Sequence, residues 1–349
     1  MLNKGLSLTL SEGEGTKENN WNLSKMNKQG LKIVFMGTPD FAVPSLDILL
    51  KNDCNVVGVI TVPDKPAGRG LELHQSAVKK YALEKGLKIL QPEKLKDETF
   101  LNQLKELKAD LQVVVAFRML PEVVWKMPRL GTFNLHASLL PQYRGAAPIN
   151  WAIINGEKET GATTFFLQHE IDTGKIIFRE KVNIGENETA GELHNQLMNT
   201  GANLVLKTVQ VIESGNAEQT DQSAFVKKGE ELKTAPKIFK ESCKINWTKT
   251  ADEIHNLIRG LSPYPSAFTE LKSIEGKMFP VKIFEIKKEA ITHSHLPGKI
   301  LTDSKHFIKV AATGGLIDVL ELQLAGKKRM RVEEFLRGFP LSNEWKFSF

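Results

Sequence analysis

Cysteine is scarce in this chain, where Cys54 and Cys243 are the two examples among 349 residues. Two thiols cannot build a disulfide framework or a four-cysteine zinc site, so we expect a reducing, cytoplasmic setting. Long apolar runs are missing as well. Stretches such as residues 111–117 have the length of a strand and fall short of the roughly 20 residues of a membrane helix. The sequence therefore predicts a soluble protein without a membrane segment.

Motifs for nucleotides, covalent catalysis and metals are also absent. The turn after the first predicted strand, Gly37-Thr38-Pro39-Asp40, is neither a dinucleotide fingerprint nor a Walker loop, which argues against dinucleotide or triphosphate use. No Gly-x-Ser-x-Gly elbow supports an acyl-enzyme. His293 and His295 are two histidines in a polar turn with no further candidate ligand beside them. Exposed side chains explain this pattern better than a metal site does, so we expect no metal.

The positive charge is concentrated in the last third of the chain. The whole sequence has a net charge of +6, and residues 234–349 contain 19 Lys and Arg against 13 Asp and Glu, which accounts for all of it. Charge alone leaves two interpretations open: a slightly basic solvated surface, or a surface that meets an anionic partner.

Composition and periodicity divide the chain into four segments. Residues 1–30 are polar and aperiodic, which predicts a disordered N-terminal extension, and Met26 is a second candidate start just before the first strand. We expect one domain at residues 31–213, a linker or extended arm at residues 214–233, and a second domain at residues 234–349.

The two predicted domains differ in their secondary structure. In residues 31–213, nearly continuous apolar strands alternate with helices, which is typical of a Rossmann-like α/β domain with a mostly parallel sheet and helices on both faces. The later segment has one predicted helix, at residues 251–259, and five short strands with glycine turns, at residues 267–271, 281–285, 299–302, 307–310 and 316–324. Such strands favour a small β-barrel, of which the OB-like type is one.

The chemistry is expected at the end of the predicted strand that contains Asn134 and His136. Side chains two apart on a strand share a face, and α/β sheets bind ligands beyond the carboxyl ends of their strands. An amide N–H can stabilise an oxyanion, and an imidazole exchanges a proton near neutral pH. A polar pair that caps backbone groups explains the same spacing, so the pattern alone leaves both interpretations open.

Two loops add to this pair. Residues 138–145 form a loop bounded by proline and glycine directly after His136, and Asp172 lies in a turn between two later strands, where its carboxylate could approach the imidazole. Asp and Gly are also ordinary turn residues. Because no nucleophile accompanies Asn134, His136 and Asp172, the set suits direct transfer between two bound substrates.

Taken together, the motifs of this chain resemble the folate-dependent formyltransferases, and most of all those that act on an aminoacylated tRNA. The resemblance runs from about residue 31 to at least residue 336. It is carried by GTPDFAVPSL, VPDKPAGRG, NLHASLLPQYRGAAPINWAI and IDTGKII in the first domain, and by TAPKI, INWTKTADEIHNLIRGLSPYP and LQLAGKKRM in the second.

The resemblance implies transfer of the formyl group of 10-formyltetrahydrofolate to the α-amino group of methionyl initiator tRNA. Asn134 would then stabilise the oxyanion, His136 would move the proton, and Asp172 would tune His136 and order a relay water. The folate pocket would include Ser138, Leu139, Leu140 and Pro141, together with the loop at residues 116–121 that contains Phe117 and Met119. We also expect a monomer.

Two loops are expected to contact the substrates. The family pattern Ala-Tyr/Phe-Gly-x-Ile-Leu-Pro is one residue shorter here and lacks its glycine, which changes the expected folate contacts at residues 116–121. The loop at residues 64–76 would contact the tRNA acceptor end through Lys65 and Arg69. Backbone phosphates would be met by Lys327, Lys328, Arg329 and Arg331.

Three alternative functions fit the sequence less well. A sugar-nucleotide N-formyltransferase shares the Asn, His and Asp set, but its small acceptor needs neither a basic barrel nor the loop at residues 64–76. A tRNA-binding protein whose transferase site is inactive is a further alternative. The intact set of Asn134, His136 and Asp172 argues against it. A nicotinamide oxidoreductase lacks the dinucleotide fingerprint.

Overall fold

The computed structural model describes residues 30–67 and 72–348. The expected N-terminal extension, Met26 and Arg69 lie outside these residues. The first domain contains strands β1 (Ile33–Gly37), β2 (Val56–Ile60), β3 (Lys65–Ala67), β4 (Glu72–His74), β5 (Ile89–Leu90), β6 (Leu111–Val115), β7 (Thr132–His136), β8 (Arg144–Gly145), β9 (Glu159–Phe166) and β10 (Ile176–Asn183). Its helices are α1 (Val43–Lys51), α2 (Ala77–Glu84), α3 (Glu98–Glu106), α4 (Glu122–Trp125), α5 (Pro148–Ile154) and α6 (Ala190–Glu213).

The first domain is built on a seven-stranded sheet in the order β10-β9-β7-β6-β1-β2-β5. The strands from β7 to β5 are parallel, whereas β9 is antiparallel to β7 and β10 is antiparallel to β9. The prediction of a mostly parallel Rossmann-like sheet is confirmed. Strands β3 and β4 form a separate hairpin in the loop that the sequence analysis assigned to the tRNA acceptor end.

Alternate residues of the central strands feed two cores. Ile33 and Phe35 of β1 pack with α1 and α6 on one face of the sheet, while Val34 and Met36 pack with α3 and α4 on the other. This alternation explains why the strands read as continuous apolar runs, since both of their faces are buried. Leu135 of β7 belongs to the α6 core, so its neighbours along the strand project from the opposite face.

The second domain is a curled antiparallel sheet with two helices. It contains α7 (Ala251–Leu261), α8 (Val332–Gly338), β12 (Ala267–Lys272), β13 (Met278–Glu289), β14 (Ile300–Thr302), β15 (Ile308–Ala312), β16 (Gly315–Leu324), β17 (Met330–Arg331) and β18 (Lys346–Ser348), and β11 (Thr234–Ala235) precedes it. The sheet order is β14-β15-β16-β13-β12-β18, and a bridge between Lys299 and Lys346 brings its two ends together. The expected barrel-like domain is confirmed.

The prediction of a single helix in this domain is wrong. Helix α8 has only seven residues, and its apolar stripe consists of Val332, Phe335 and Leu336. A stripe of three residues directly after a basic run gives little periodicity, which is why it was missed. None of the helices in the described part of the chain is both long and apolar enough to span a membrane.

Residues 214–236, called the arm below, connect the two domains while lying against the first. A short 3₁₀ helix, Gln222–Phe225, follows an antiparallel bridge between Thr220 and Ile176. Strand β11 then pairs in parallel with β8, and β8 directly follows the loop at the end of β7. The domain boundaries at residues 213 and 234 stay a prediction.

Candidate active site

Asn134 and His136 lie near the carboxyl end of β7, on the face of the sheet opposite α6. Asn134 is half-buried and His136 is 7% exposed. In the register of the sheet, Asn134 pairs with Val114 of β6 and with Phe165 of β9. The strand therefore presents an amide and an imidazole side by side at the edge where α/β sheets bind ligands.

The hydrogen bonds of His136 define which of its nitrogens carries the proton. Nε2 lies 2.8 Å from the carbonyl oxygen of Tyr143. A carbonyl oxygen can only accept, so Nε2 donates and the lone pair of the neutral ring is on Nδ1. Nδ1 faces Oδ2 of Asp172 at 3.9 Å. In the neutral ring, the nitrogen that can accept a proton is therefore the one beside the carboxylate.

Asp172 reaches His136 from a loop that folds back along the sheet. Because β9 runs antiparallel to β7, its last residue, Phe166, lies opposite Phe133, at the far end of β7 from His136. Residues 167–175 return from there to the imidazole. Asp172 adopts a left-handed backbone conformation with φ of 55°, and its Oδ2 accepts a hydrogen bond of 3.0 Å from the N–H of Gly145. The carboxylate is thereby held in place beside the ring.

The loop after His136 is rigidly attached to its surroundings. Ser138 Oγ donates to the carbonyl of Gln142 at 2.6 Å, and Thr163 Oγ1 donates to the carbonyl of Ser138 at 2.6 Å. Leu139 and Leu140 are buried, and the peptide bond between Leu140 and Pro141 is cis. The side chain of Leu140 packs into a small core with Phe165 and Ile176, and its N–H donates to Thr163 Oγ1 at 3.2 Å.

The loop after β6 reaches the same edge of the sheet. Ala116 has a φ of 46°, Phe117 is half-buried, and Met119 is 73% exposed. The guanidinium of Arg118, where the family pattern has glycine, donates to the carbonyls of Pro92 and Glu93. Burial lowers the pKa of Arg118. This side chain ties the loops that follow β5 and β6 to each other.

Two family models match this chain and together cover most of it. The model described as Formyl transferase matches residues 31–209, and the model described as Formyl transferase, C-terminal domain, matches residues 237–340. The chain belongs to the formyltransferase family. The resemblance carried by the sequence motifs is confirmed.

Curated relatives extend the similarity of this formyltransferase over nearly its whole length. The methionyl-tRNA formyltransferase of Bacteroides fragilis is 56% identical over 92% of this chain and 99% of its own. That of Bacteroides thetaiotaomicron is 57% identical over 93% and 100%, and that of Flavobacterium psychrophilum is 53% identical over 90% and 98%.

Solved structures share the fold at lower identity. An N-formyltransferase from Helicobacter canadensis, solved with folinic acid and dTDP-3-aminofucose, has a TM-score of 0.59 and 24% identity and covers 83% of this chain and 98% of that one. The sugar 3N-formyl transferase WlaRD, solved with dTDP and 5-N-formyl-THF, has a TM-score of 0.60 and 23% identity and covers 85% and 99%. These similarities support the fold of the formyltransferase described here.

The cations expected to meet tRNA are distributed over both domains of this formyltransferase. Lys65 is exposed in β3. On the barrel, Lys327 is exposed, whereas the other three cations pair with carboxylates of their own domain. These pairs join Lys328 to Glu334, Arg329 to Glu321 and Arg331 to Glu285. The basic run of the barrel is thus partly neutralised by its own fold.

A cavity lies away from His136, between the two domains. It has a volume of about 1170 Å³ and is lined by the start of α6, by α7 and by the barrel. The buried guanidinium of Arg259 donates to the carbonyls of Gly185 and Glu188 across this seam. The seam therefore joins the domains, and its lining does not include Asn134, His136 or Asp172.

The described part of the chain holds no group of three His, Cys, Asp or Glu side chains that could bind a metal ion. The rings of His293 and His295 stack with centroids 5.6 Å apart, and His293 Nε2 lies 2.9 Å from the carbonyl of Gly315. One nitrogen of this pair is therefore engaged by the backbone.

Sequence reasoning missed two residues of the site. The backbone carbonyl of Tyr143 orients His136, and buried Gln222 bonds to the backbone around Asp172. Tyr143 lay within a quoted motif, which gave it some signal. Gln222 stands in a polar, aperiodic stretch, where nothing in the pattern distinguishes it from a solvated residue.

Proposed function

We propose that this formyltransferase transfers the formyl group of 10-formyltetrahydrofolate to the α-amino group of methionyl initiator tRNA. The choice of acceptor rests on relatives of 53–58% identity that carry the name methionyl-tRNA formyltransferase. The observation that carries the chemistry is the geometry of His136, whose Nε2 binds the Tyr143 carbonyl while Nδ1 faces the carboxylate of Asp172.

The geometry supports direct transfer with one base. The neutral amine attacks the formyl carbon, its proton moves to Nδ1 of His136, and the carbonyl oxygen becomes an oxyanion within reach of the Asn134 amide. The carboxylate of Asp172 stabilises the imidazolium that forms. His136 then returns the proton to N10 of the folate as the C–N10 bond breaks and the formyl C=O is restored.

The folate side of the proposed pocket is formed by the loops after β6 and β7. Met119 offers an exposed apolar side chain there, and Phe117 is half-buried against the core on the α3 and α4 face. Ser138, Leu139, Leu140 and Pro141 contribute the opposite wall, which is held by hydrogen bonds from Ser138 Oγ to the carbonyl of Gln142 and from the Leu140 N–H to Thr163 Oγ1. The attachment of Arg118 to the loop after β5 keeps the first wall in place.

For the tRNA, we propose contacts from Lys65 and Arg69 on the first domain and from the barrel cations on the second. Lys327 is the best of the barrel candidates, since no carboxylate within the described residues pairs with its ammonium. We further propose that the enzyme acts as a monomer in the cytoplasm.

A direct comparison of acceptors tests the function. The enzyme is given 10-formyltetrahydrofolate with methionyl initiator tRNA or with an amino-sugar nucleotide, and formyl transfer is measured for each. We expect transfer to the tRNA. Transfer to the sugar nucleotide alone would establish the alternative, a sugar-nucleotide N-formyltransferase.

The same assay tests the base. We expect His136→Ala to lower kcat by about 100-fold or more, because a positioned acid–base group contributes about that much. His295→Ala, an exposed histidine on the barrel, is the matched control and should behave as the unmodified enzyme does. A loss of less than about tenfold in His136→Ala would overturn the mechanism.

A further inference from the structure

The arm lies between the two stretches that the family models match, yet it contacts Asp172 directly and is linked to His136 through Tyr143. We propose that Gln222 and residues 230–235 of the arm, together with Gln142, are positioning residues of the active site: they hold Asp172 beside His136 and set the His136 tautomer. The turnover part of this proposal rests on the proposed function.

The first contact supports Asp172. Gln222 is 5% exposed, and its Nε2 donates to the carbonyls of Asp172 at 2.8 Å and Gly174 at 2.9 Å. Its Oε1 accepts from Nε of Arg144 at 3.1 Å. A non-glycine residue in the left-handed region is strained and persists where its surroundings over-determine it. Gln222 supplies such bonds for the backbone of Asp172, whose φ is 55°.

The second contact supports Tyr143, whose carbonyl binds Nε2 of His136. Tyr143 also has a left-handed backbone, with φ of 59°, and its N–H donates to the carbonyl of Lys233 at 2.7 Å. Its hydroxyl donates to Glu157 at 2.6 Å, and the same carboxylate oxygen accepts from Nζ of Lys233 at 2.6 Å. The arm thus holds Tyr143 at its backbone and, through Glu157, at its phenol.

Gln142 attaches the arm to this loop over three further hydrogen bonds. Its Nε2 donates to Glu230 Oε1 at 2.9 Å and to the carbonyl of Glu231 at 3.1 Å, and its Oε1 accepts the N–H of Lys233 at 2.8 Å. One residue on, β11 pairs with β8, which contains the Gly145 N–H that holds the Asp172 carboxylate. Both catalytic side chains therefore depend on the arm.

The consequence for catalysis follows from the two nitrogens of the imidazole. If the Tyr143 carbonyl moves away, the proton on Nε2 loses its acceptor, and the neutral ring can also carry its proton on Nδ1. A ring protonated on Nδ1 cannot accept the amine proton there. Displacement of Asp172 removes the charge that favours the imidazolium. Loosening the arm at either contact should therefore reduce turnover without removing a group that touches substrate.

Two variants and one control separate positioning from general stability. Gln222→Ala removes the support of Asp172, and Gln142→Ala removes the side-chain attachment to residues 230–233. Gln219→Ala is the matched control, because Gln219 is exposed and makes no side-chain hydrogen bond within the described residues. Thermal unfolding of all three variants is measured first. Tyr143→Phe, which keeps the carbonyl but loses the bond to Glu157, replaces Gln142→Ala where the latter fails to fold.

Nitrogen-15 NMR of the substrate-free full chain, labelled in histidine, reads the tautomer directly. The spectrum of His136→Asn identifies the His136 signals. We expect the Nε2–H tautomer in the unmodified protein and in Gln219→Ala, and a mixture of both tautomers in Gln142→Ala. An Nδ1–H tautomer in the unmodified protein, or an unchanged spectrum in Gln142→Ala, would overturn the proposal. This measurement requires no substrate, so its failure is distinct from a failure of the proposed function.

Turnover provides the second readout. We expect kcat to fall by about 10- to 100-fold in Gln222→Ala and Gln142→Ala, with KM for both substrates changed by less than about threefold, because displacements near 1 Å cost rates of that order. If kcat in both variants equals that of Gln219→Ala, the arm has no positioning role.

Discussion

A single backbone carbonyl orients His136, the histidine that we propose as the base. The carbonyl of Tyr143 requires a proton on Nε2 of His136, which leaves Nδ1 to face Asp172 and the space at the end of β7. Asp172 in turn is held by the N–H of Gly145. Each of these two side chains is thus oriented by a hydrogen bond to a backbone group.

Replacing Asp172 by Asn tests the role of its charge. The amide oxygen of Asn can still accept the Gly145 N–H, so we expect the fold and substrate binding to persist, while kcat falls by about 100-fold because the imidazolium is no longer stabilised. Steady-state kinetics with a thermal melt of the same sample checks this. Because Asn has nearly the same shape as Asp, the substitution changes the charge with little change in packing. A kcat within about threefold of the unmodified enzyme would show that the charge is dispensable.

Three elements converge on the site: β7, the loop that returns from β9, and β11 of the arm. Helix α6 approaches β7 closely at Gly201, where a Cβ would lie 2.6 Å from Cδ2 of Leu135. On the other side, Gly145 of β8 allows the arm to approach, since a Cβ there would lie 2.4 Å from the carbonyl oxygen of Ala235. Glycines thus permit two of the contacts that position the end of β7.

Gly145→Ala should separate the arm from the catalytic loop. The residue has a φ of +127° and meets a backbone oxygen, so the added methyl can be accommodated only by displacing β11. We expect faster tryptic cleavage within residues 227–233 and a fall in kcat of about tenfold or more.

Gly229→Ala is the matched control for that substitution. Gly229 also has a positive φ, of +79°, but a Cβ there meets nothing within 4 Å. It bears a similar backbone strain without the clash, and its kcat should remain that of the unmodified enzyme. Equal losses in the two variants would assign the effect to strain instead of to the contact with Ala235.

At the scale of the whole molecule, the surplus charge and the chemistry belong to different domains. The barrel contains the basic run, but its Arg329 and Arg331 are engaged with carboxylates of the same domain, and Arg329 also lies over the ring of Phe284 at 4.3 Å. Exposed cations attract a polyanion more strongly than paired ones, because the paired charge is already partly neutralised.

Salt dependence distinguishes the two kinds of barrel cation. We expect Lys327→Ala to lower the slope of log Kd for methionyl initiator tRNA against log salt by about one, as for the loss of one phosphate contact. Lys328→Ala should change the slope less, because its ammonium lies 2.9 Å from Glu334. Filter binding over a series of salt concentrations measures both, and an equal effect of the two substitutions would contradict the distinction.

The seam between the domains should make stability depend on pH. His255 of α7 is 3% exposed, and burial, together with the nearby cations Arg259 and Lys288, lowers its pKa from 6.5 to about 4. Below pH 6.5 the unfolded chain takes up a proton that the folded state does not, so the free energy of unfolding falls as the pH drops toward 4. The loss is at most about 1.4 kcal/mol per pH unit.

Urea unfolding of the unmodified protein and of His255→Asn between pH 7 and about pH 4 checks this expectation. The variant has no imidazole to titrate, so its stability should fall less steeply over the same range, and the difference between the two proteins should shrink as the pH falls. Parallel pH profiles for the two proteins would show that His255 does not contribute to the dependence.

Much of the architecture followed from local patterns in the sequence. Strands such as β1 and β6 are buried on both faces, so their sequences are continuous apolar runs. Helix α6, Ala190–Glu213, likewise has a local pattern, a long amphipathic stripe that follows a Thr189 cap. Asn134 and His136 could be placed on one face because side chains two apart on a strand always share it.

What only the tertiary structure decided is how distant segments meet. The return of residues 167–175 toward His136, the attachment of Gln142 to Lys233 and the burial of Gln222 depend on contacts across 36 to 91 positions of the chain. Such contacts leave no local periodicity, since a buried glutamine and a solvated one look alike in a polar stretch. The sequence by itself therefore determined the sheet, the barrel and the family. The orientation of His136 and Asp172 by the arm, in contrast, required the folded chain.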